Sequence, residues 1–319
     1  MKTLIIGGAG FLGSNLVRAC LRDSGAKVTV LDSLDPHFLS TREALRDVEN
    51  SIRFIQGDLL NEALLSDLVK GQDVIFNCAA QTSHPLSIRD PLLDVQINCI
   101  GNLKLLEAVR RFNPEAAVVY PSSSTVIGKA LLETVDEDHW ERPLEIYSAN
   151  KSAAEKYYHI YHTVHGLRTA VIRFANLYGP AGKNSPDFGF INYFIAQAAE
   201  EKALRVFGDG CQMRNVMYVE DAASALRVAS IQCDKLAGKS WFATGDEHLS
   251  VLEIANAIAT EFSAPAVECI PWPTERKSIE IENVRFSSAR FRTLTGWSPT
   301  VPFAEGLKQT RAMIESRNV

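Results

Sequence analysis

Several features that would assign this 319-residue chain to a protein class are missing. It has no apolar run of about 18 residues, so no membrane-spanning helix is expected. It has no excess of positive charge. Its 33 Lys and Arg stand against 38 Asp and Glu, a net charge of −5, which gives no basic surface for nucleic acid. Cysteine is sparse: six residues, at 20, 78, 99, 211, 233 and 269, with no C-x-x-C spacing and hence no paired-cysteine motif. Cys20, Cys78 and Cys99 fall inside apolar runs and read as small core residues, and a reduced, cytoplasmic setting is expected. The first residues lack the layout of a signal peptide. Tandem repeats and low-complexity stretches are absent as well. With 46% apolar residues, the chain has the composition of a globular protein long enough for two modest domains, or one large domain with a lobe.

The most informative stretch runs from Met1 to Asp32. Leu4, Ile5 and Ile6 read as a short buried strand. Gly7, Gly8, Gly10 and Gly13 follow at once. Phe11, Leu12, Leu16, Val17 and Leu21 are spaced along one face of a helix that Gly25 closes, and Lys27 to Leu31 reads as a second strand ending in Asp32. Each part suits a dinucleotide. Gly7 turns the chain sharply out of the strand, Gly10 lets a pyrophosphate approach the main chain, and Gly13 lets the helix pack close to the sheet. The N–H groups of the helix start, at Phe11 and Leu12, face the phosphates. Asp32 is placed to accept hydrogen bonds from the adenosine ribose and to repel a 2′-phosphate, which favours NAD over NADP. The spacing is G-x-x-G-x-x-G, and its weight comes from the ordered succession of strand, glycines, helix, strand and acid.

Strand and helix patterns then alternate. Strands are expected at 51–55, 73–78, 116–120 and 167–174, with helices at 61–70, 92–112 and from Tyr147 to His165. The sum predicts an α/β, doubly wound parallel sheet. Asp58, after the third strand, has two readings: a contact for the adenine amino group, or a loop carboxylate with no ligand. Ala79, Ala80, Gln81, Thr82 and Ser83 are small or polar residues at the carboxyl end of a strand, where a ligand has room. Beyond Asn176 the rhythm changes. Residues 239–244 read as a strand that returns to the first sheet, so the second lobe is expected to interleave with the first. The expected division is 1–175 for the cofactor domain, with a return at about 215–248, and 176–319 mostly for a smaller substrate lobe.

Ser123, Tyr147 and Lys151 carry the chemical expectation. Tyr147 and Lys151 lie four apart at a helix start and share a face. A phenol is a poor base at neutral pH. A nearby ammonium and a positive nicotinamide ring both favour the phenolate. Tyr147 then takes a proton from a sugar hydroxyl as hydride leaves the same carbon, and Ser123 hydrogen-bonds that oxygen. Asn98 is expected to support the lysine through its backbone or a water.

These motifs, with Gly57-Asp58-Leu59, Arg173-x-x-Asn176-x-Tyr178-Gly179-Pro180, Phe207-Gly208-Asp209-Gly210, Arg214, Tyr218-Val219-Glu220-Asp221 and Gly296-Trp297-Ser298-Pro299, run nearly end to end. The chain resembles the extended short-chain dehydrogenases/reductases, the NAD-dependent nucleotide-sugar epimerases and dehydratases. The resemblance implies a Rossmann domain and a nucleotide diphosphate sugar between two lobes, a UDP-sugar before a CDP- or GDP-sugar. It places Leu59, Ala79, Ala80 and Asn98 at the cofactor. Thr82, Ser83, Ser123 and Ser124 fall at the sugar, Asn176 at a phosphate, and Arg214 at the diphosphate. Arg276 is a second candidate for the diphosphate or a solvated arginine. Phe190, Ile191, Val206 and Phe207 line the base pocket or pack the core. A homodimer through paired helices is implied too.

Dehydratases of this kind carry an Asp-Glu pair after the catalytic Ser/Thr; here those positions are Ser124 and Thr125. The decarboxylases' glutamate and the 3,5-epimerases' cysteine are also missing there. The expected activity is therefore epimerisation at C4, with a 2-epimerase resembling the CDP-tyvelose enzyme as the alternative, and a net dehydrogenase/reductase or dehydratase behind it. A non-catalytic NAD-binding module is a further class, although Ser123, Tyr147 and Lys151 are all intact. Ile127 stands where the family usually has tyrosine, which removes a hydroxyl near the cofactor. His159, His162 and His165 read as a solvated or dimer-facing stripe rather than a metal site, because three-residue spacing drifts around a helix.

Overall fold

The computed structural model describes residues 1–273, 277, 280 and 283–317. Its strands are β1 (Lys2–Ile6), β2 (Lys27–Asp32), β3 (Ile52–Gln56), β4 (Val74–Asn77), β5 (Ala117–Ser123), β6 (Thr134–Val135), β7 (Arg168–Phe174), β8 (Asn176–Tyr178), β9 (Leu204–Phe207), β10 (Met213–Tyr218), β11 (Ser240–Phe242), β12 (His248–Ser250), β13 (Val267–Ile270) and β14 (Arg285–Phe286). The helices are α1 (Phe11–Leu21), α2 (Glu62–Leu68), α3 (His84–Arg89), α4 (Pro91–Val95), α5 (Gly101–Phe112), α6 (Ile146–His165), α7 (Phe190–Ala199), α8 (Val219–Ile231), α9 (Cys233–Leu236), α10 (Val251–Phe262), α11 (Ala289–Thr295) and α12 (Phe303–Arg317).

Seven parallel strands form the main sheet in the order β11-β7-β5-β4-β1-β2-β3. Successive residues of a strand face opposite sides, so a sheet covered on both faces needs apolar side chains at every position. Ile5, Val30 and Phe76 pack on one face beneath α1 and α8. Leu4, Ile6, Leu31 and Ile75 pack on the other, with Leu65, Leu105, Leu106 and Ala154 from α2, α5 and α6. This double burial is why the strand segments read as unbroken apolar runs. The strand order reverses next to β1, between β2 and β4, so the carboxyl ends of β1 and β4 open onto a crevice. A third core, built by α7, α10 and α12 around Val206, Tyr178 and Tyr218, forms the smaller lobe.

The expected return to the main sheet is made by α8, which packs on α1, and by β11, which pairs with β7. β10 instead joins the small sheet β12-β10-β8. The expected long helix over 92–112 is divided. α4 and α5 flank one π-helical turn, Gln96–Ile100, which carries Asn98 and Cys99. Such turns widen the helix by one residue and recur at functional sites. Of the histidine stripe, His159 faces inward and meets the Ser240 hydroxyl at 3.1 Å, while His162 Nδ1 lies 2.8 Å from the Leu167 carbonyl. His165 packs against Tyr161. The stripe splits because the helix packs along β7 and β11, which draws two of its three rings to the protein. Ile127 is fully buried in a small apolar cluster with Val126, Val135, Phe242 and Val284, and its side chain serves packing there. All six cysteines are free, and no helix among the described residues is long and apolar enough to cross a membrane.

Candidate active site

The crevice holds a cleft of about 390 Å³. Gly7, Gly10, Phe11, Leu12 and Gly13 line it, as do Asp32, Asp58, Leu59, Ala79 and Ala80. Thr82, Ser123, Ser124, Tyr147, Lys151, Asn176 and Phe190 line it as well. Residues distant in sequence meet there because every one of these segments follows the carboxyl end of a parallel strand or opens the helix behind it.

The glycine turn is built by close approach. Gly7 has φ +76°, and a Cβ on it would lie 2.5 Å from the Ala79 nitrogen. A Cβ on Gly13 would lie 2.1 Å from the Gly7 carbonyl oxygen. Gly10 differs: a Cβ there meets nothing nearer than the Gly7 carbonyl at 3.2 Å, so its bare face opens to the cleft. Gly10 caps α1 with no side-chain hydrogen bond, leaving the first N–H groups of the helix for a ligand. Asp32 is buried and held in place. Its Oδ2 accepts from the Ala9 N–H at 2.9 Å, and its Oδ1 accepts from the Leu34 N–H at 2.9 Å and the Ser40 hydroxyl at 3.1 Å. Asp58 Oδ1 accepts from the Leu60 N–H at 2.8 Å. The Ser122 hydroxyl, in the cleft wall, is buried without a partner among the described residues. Bare helix N–H groups, an anchored acid and an orphan hydroxyl fit a dinucleotide.

At the other end of the cleft, α6 brings Tyr147 and Lys151 to one face, both buried. Lys151 Nζ donates to the Pro121 carbonyl at 3.1 Å and lies 4.4 Å from the centre of the Tyr120 ring. Burial pushes the Lys151 ammonium down to about 8, against the pull of nearby Asp94 and Glu155. Burial also pushes the Tyr147 phenol well above its ordinary value, and the Glu145 carboxylate adds to this. The Ser123 hydrogen bond acts the other way. The expected lowering of the phenol by Lys151 is not supplied by the chain's own groups: Lys151 Nζ is 6.0 Å from the Tyr147 ring centre and engaged by Pro121. When bound, NAD accepts and returns hydride, and its positive ring favours the phenolate. The Ser123 hydrogen bond would hold the phenol where such a charge would act. The Ser123 and Thr125 hydroxyls are 2.8 Å apart, Thr125 and Ser148 are 2.8 Å apart, and Ser148 donates to Glu145.

Other candidates stand back from the cleft. Asn98 is fully buried; its Nδ2 donates to the Gln81 carbonyl and to Asp94, and its backbone carbonyl accepts from Asn102 Nδ2 at 2.8 Å. The Lys151 ammonium bonds the Pro121 carbonyl directly. Ser83 is buried and caps α3 by accepting from the Leu86 N–H at 3.1 Å. Val206 is wholly inside the small-lobe core. Arg214 pairs with Glu280 and donates to the Met213 carbonyl, so its guanidinium is engaged within the small lobe. Arg276 lies outside the described residues.

Two cleft residues, and one that stands behind them, escaped sequence reasoning. His84 opens α3, and Glu145 stands behind it as the N-cap of α6. An acid two residues before Tyr147, at a helix start, was the available signal for Glu145. Lys183 reaches the cleft from the loop after Pro180, with its Nζ 4.0 Å from the centre of the Phe188 ring. Burial lowers Lys183 to about 8, and Asp32 pulls the other way. No periodicity marks a lone loop lysine.

Comparison with known proteins shows the family. Residues 3–241 match the NAD dependent epimerase/dehydratase family. A UDP-glucose 4-epimerase of Mycolicibacterium smegmatis is 31% identical over 314 residues, covering 97% of each chain. A dTDP-glucose 4,6-dehydratase of Streptomyces niveus is 32% identical over 320 residues, covering 97% of this chain and 91% of that one. The structure of the Thermus thermophilus UDP-glucose 4-epimerase complex with NAD superposes with a TM-score of 0.86 at 28% identity, covering 99% of both chains. With the cofactor turn, the Ser123–Tyr147–Lys151 grouping and this match over most of its length, the chain belongs to the NAD-dependent epimerase/dehydratase family.

Proposed function

We propose that the protein epimerises a nucleotide diphosphate sugar at C4 through a transient keto sugar. Tyr147 takes the hydroxyl proton as hydride leaves the same carbon for NAD; the sugar then turns over, and hydride returns to its other face. The observation that carries this reading is the group of hydroxyls Ser123, Ser124 and Thr125 at the Tyr147 end of the cleft. None of the three is an acid at neutral pH, so water loss lacks the acid–base pair it needs at those positions. Similarity alone does not choose, because a 4-epimerase and a 4,6-dehydratase stand at nearly equal identity. A UDP-sugar is the favoured substrate, as in the names of the Mycolicibacterium and Thermus relatives. In this reading Asn176 meets a phosphate, and Arg214 exchanges Glu280 for the diphosphate.

Residues 1–175 with the α8–β11 return serve the cofactor, and the rest mostly serves the substrate. The pairing of β11 with β7 supports that division. A homodimer through α5 and α6 and a cytoplasmic setting complete the proposal; exposed Ile160 and Val164 and six free cysteines support them. The test is incubation with UDP-glucose, UDP-galactose and their N-acetyl and uronate forms, with products read by NMR. The expected result is inversion at C4, lowered about 100-fold or more in Tyr147→Phe. Inversion at C2, or release of water or carbon dioxide, would overturn the C4 assignment.

A further inference from the structure

The pair His84–Glu145 stands beside Tyr147 and is given no proton to carry in the hydride-transfer step proposed above. His84 lines the cleft with its ring edge-on to that of Tyr147, the centroids 4.8 Å apart and the planes at 63°. Its Nδ1 lies 2.9 Å from Glu145 Oε1, and its Nε2 has no hydrogen-bond partner among the described residues. The Glu145 side chain is only 5% exposed. Besides His84, it accepts from the Ser148 N–H at 3.2 Å, the Ser148 hydroxyl, and the Ser87 hydroxyl at 3.1 Å. Burial acts to raise its carboxyl, but these hydrogen bonds and His84 outweigh that and hold it below the usual range, so it is ionised at neutral pH. An ionised carboxylate only accepts. It therefore fixes a proton on Nδ1 and leaves the Nε2 lone pair of the neutral ring free. A buried carboxylate, an imidazole it orients and an open Nε2 in a ligand cleft make a general base.

Once a sugar carbon has become a ketone, the C–H bonds on either side of it turn acidic. We propose that His84, oriented by Glu145, is a second acid–base residue that removes and returns the proton on a carbon next to the keto group, giving the enzyme an exchange or inversion activity at that neighbouring centre. This rests on the keto-sugar reading above. In the step, Nε2 takes the proton and the C–H electron pair becomes the C=C bond of an enol, which is an enediol where the carbon is C3. The carbonyl π pair moves to oxygen, which receives the proton Tyr147 holds after oxidation. Reversal on either face restores the ketone, and no oxidant or reductant is consumed.

The full-length protein with bound NAD is incubated in D2O with the same UDP-sugars. NMR and mass spectrometry follow deuterium at C3 and C5, while the epimer ratio and NADH absorbance follow hydride transfer. Hydride transfer alone leaves C3 and C5 protonated. The expected result is deuterium at one of them, with the ratio of exchange to hydride transfer falling about 100-fold in His84→Gln. Epimerisation with no deuterium at either carbon overturns the proposal and leaves the proposed function standing. Exchange at the parent ratio in His84→Gln overturns it too. If His84→Gln loses its cooperative melting transition, Glu145→Gln carries the test: a fall in the same ratio is expected, and an unchanged ratio overturns the proposal. Absence of both epimer and NADH with every sugar overturns the proposed function, and this activity with it.

Discussion

At the residue scale, Lys151 illustrates how one side chain bears a cost the fold carries for chemistry. Its ammonium is buried against Pro121 and Tyr120, and burial lowers it from 10.5 to about 8. Below pH 8 the lysine is protonated in both the folded and unfolded chains, so folding bears the full cost of removing a charge from water. Between pH 8 and 10.5 the unfolded chain binds the proton more than the folded one, so this cost fades as pH rises. Lys151→Met keeps the apolar stem and removes the charge. Thermal melts from about pH 7 to 10 should show the variant more stable than the parent, with the largest gap below pH 8 and a shrinking one above it. A variant less stable than the parent at pH 7 would mean the ammonium is well solvated by its partners. Activity should fall sharply in the same variant, since the proposed reading places Lys151 at the cofactor in the cleft it shares with Tyr147.

At the element scale, the β1–α1 connection separates what the fold needs from what a ligand needs. Gly13 lies against the Gly7 carbonyl, so Gly13→Ala must push α1 off the sheet. The buried contacts of Leu16, Val17 and Cys20 move with it. A loss of about 2 kcal/mol or more is expected in urea melts, the range of an overpacked core site. Gly10→Ala has only the 3.2 Å approach to one carbonyl to relieve. It should cost much less stability yet weaken NAD binding about tenfold or more, because its methyl stands where a phosphate approaches the main chain. Calorimetric titration with NAD beside the melts reads both effects. Equal stability losses in the two variants would contradict this division. The same scale explains the divided helix over 92–112. Apolar periodicity continues through 96–100, so the pattern alone reads as one helix. The π turn arises where Asn98 and Asn102 are pulled into a buried polar network with Asp94, Gln81 and Asn77, and such a network is set by partners far along the chain.

At the scale of the whole molecule, α6 leaves an apolar strip uncovered. Ile160 and Val164 are one turn apart, 52% and 66% exposed, and Leu92 on α4 is 75% exposed. Exposed apolar residues in such a row suit a second copy of the chain, consistent with the homodimer proposed above. Light scattering at micromolar concentration should give twice the chain mass. The double variant Ile160→Glu, Val164→Glu should give the monomer with an unchanged circular dichroism spectrum. A monomeric parent protein would remove the dimer from this account.

What the sequence determined by itself was whatever depends on neighbours in the chain. The alternation of apolar runs and amphipathic spacings marked the parallel sheet, because a strand buried on both faces and a helix buried on one leave different periods. That the glycine turn with Asp32, and Tyr147 with Lys151, would each share one space was legible because each group lies within a short segment. Only the tertiary structure decided which groups from separate segments share one space. It set the Pro121 carbonyl against Lys151, and gave Arg214 to Glu280. It also brought His84 to Glu145 across 61 positions of chain. The meetings of Pro121 with Lys151 and of His84 with Glu145 are fixed by the crossing of α3, α6 and the ends of β4 and β5, and residues so far apart leave no spacing to read. The acidity of the tyrosine belongs to the same category, because burial sets it and burial is a property of the assembled fold.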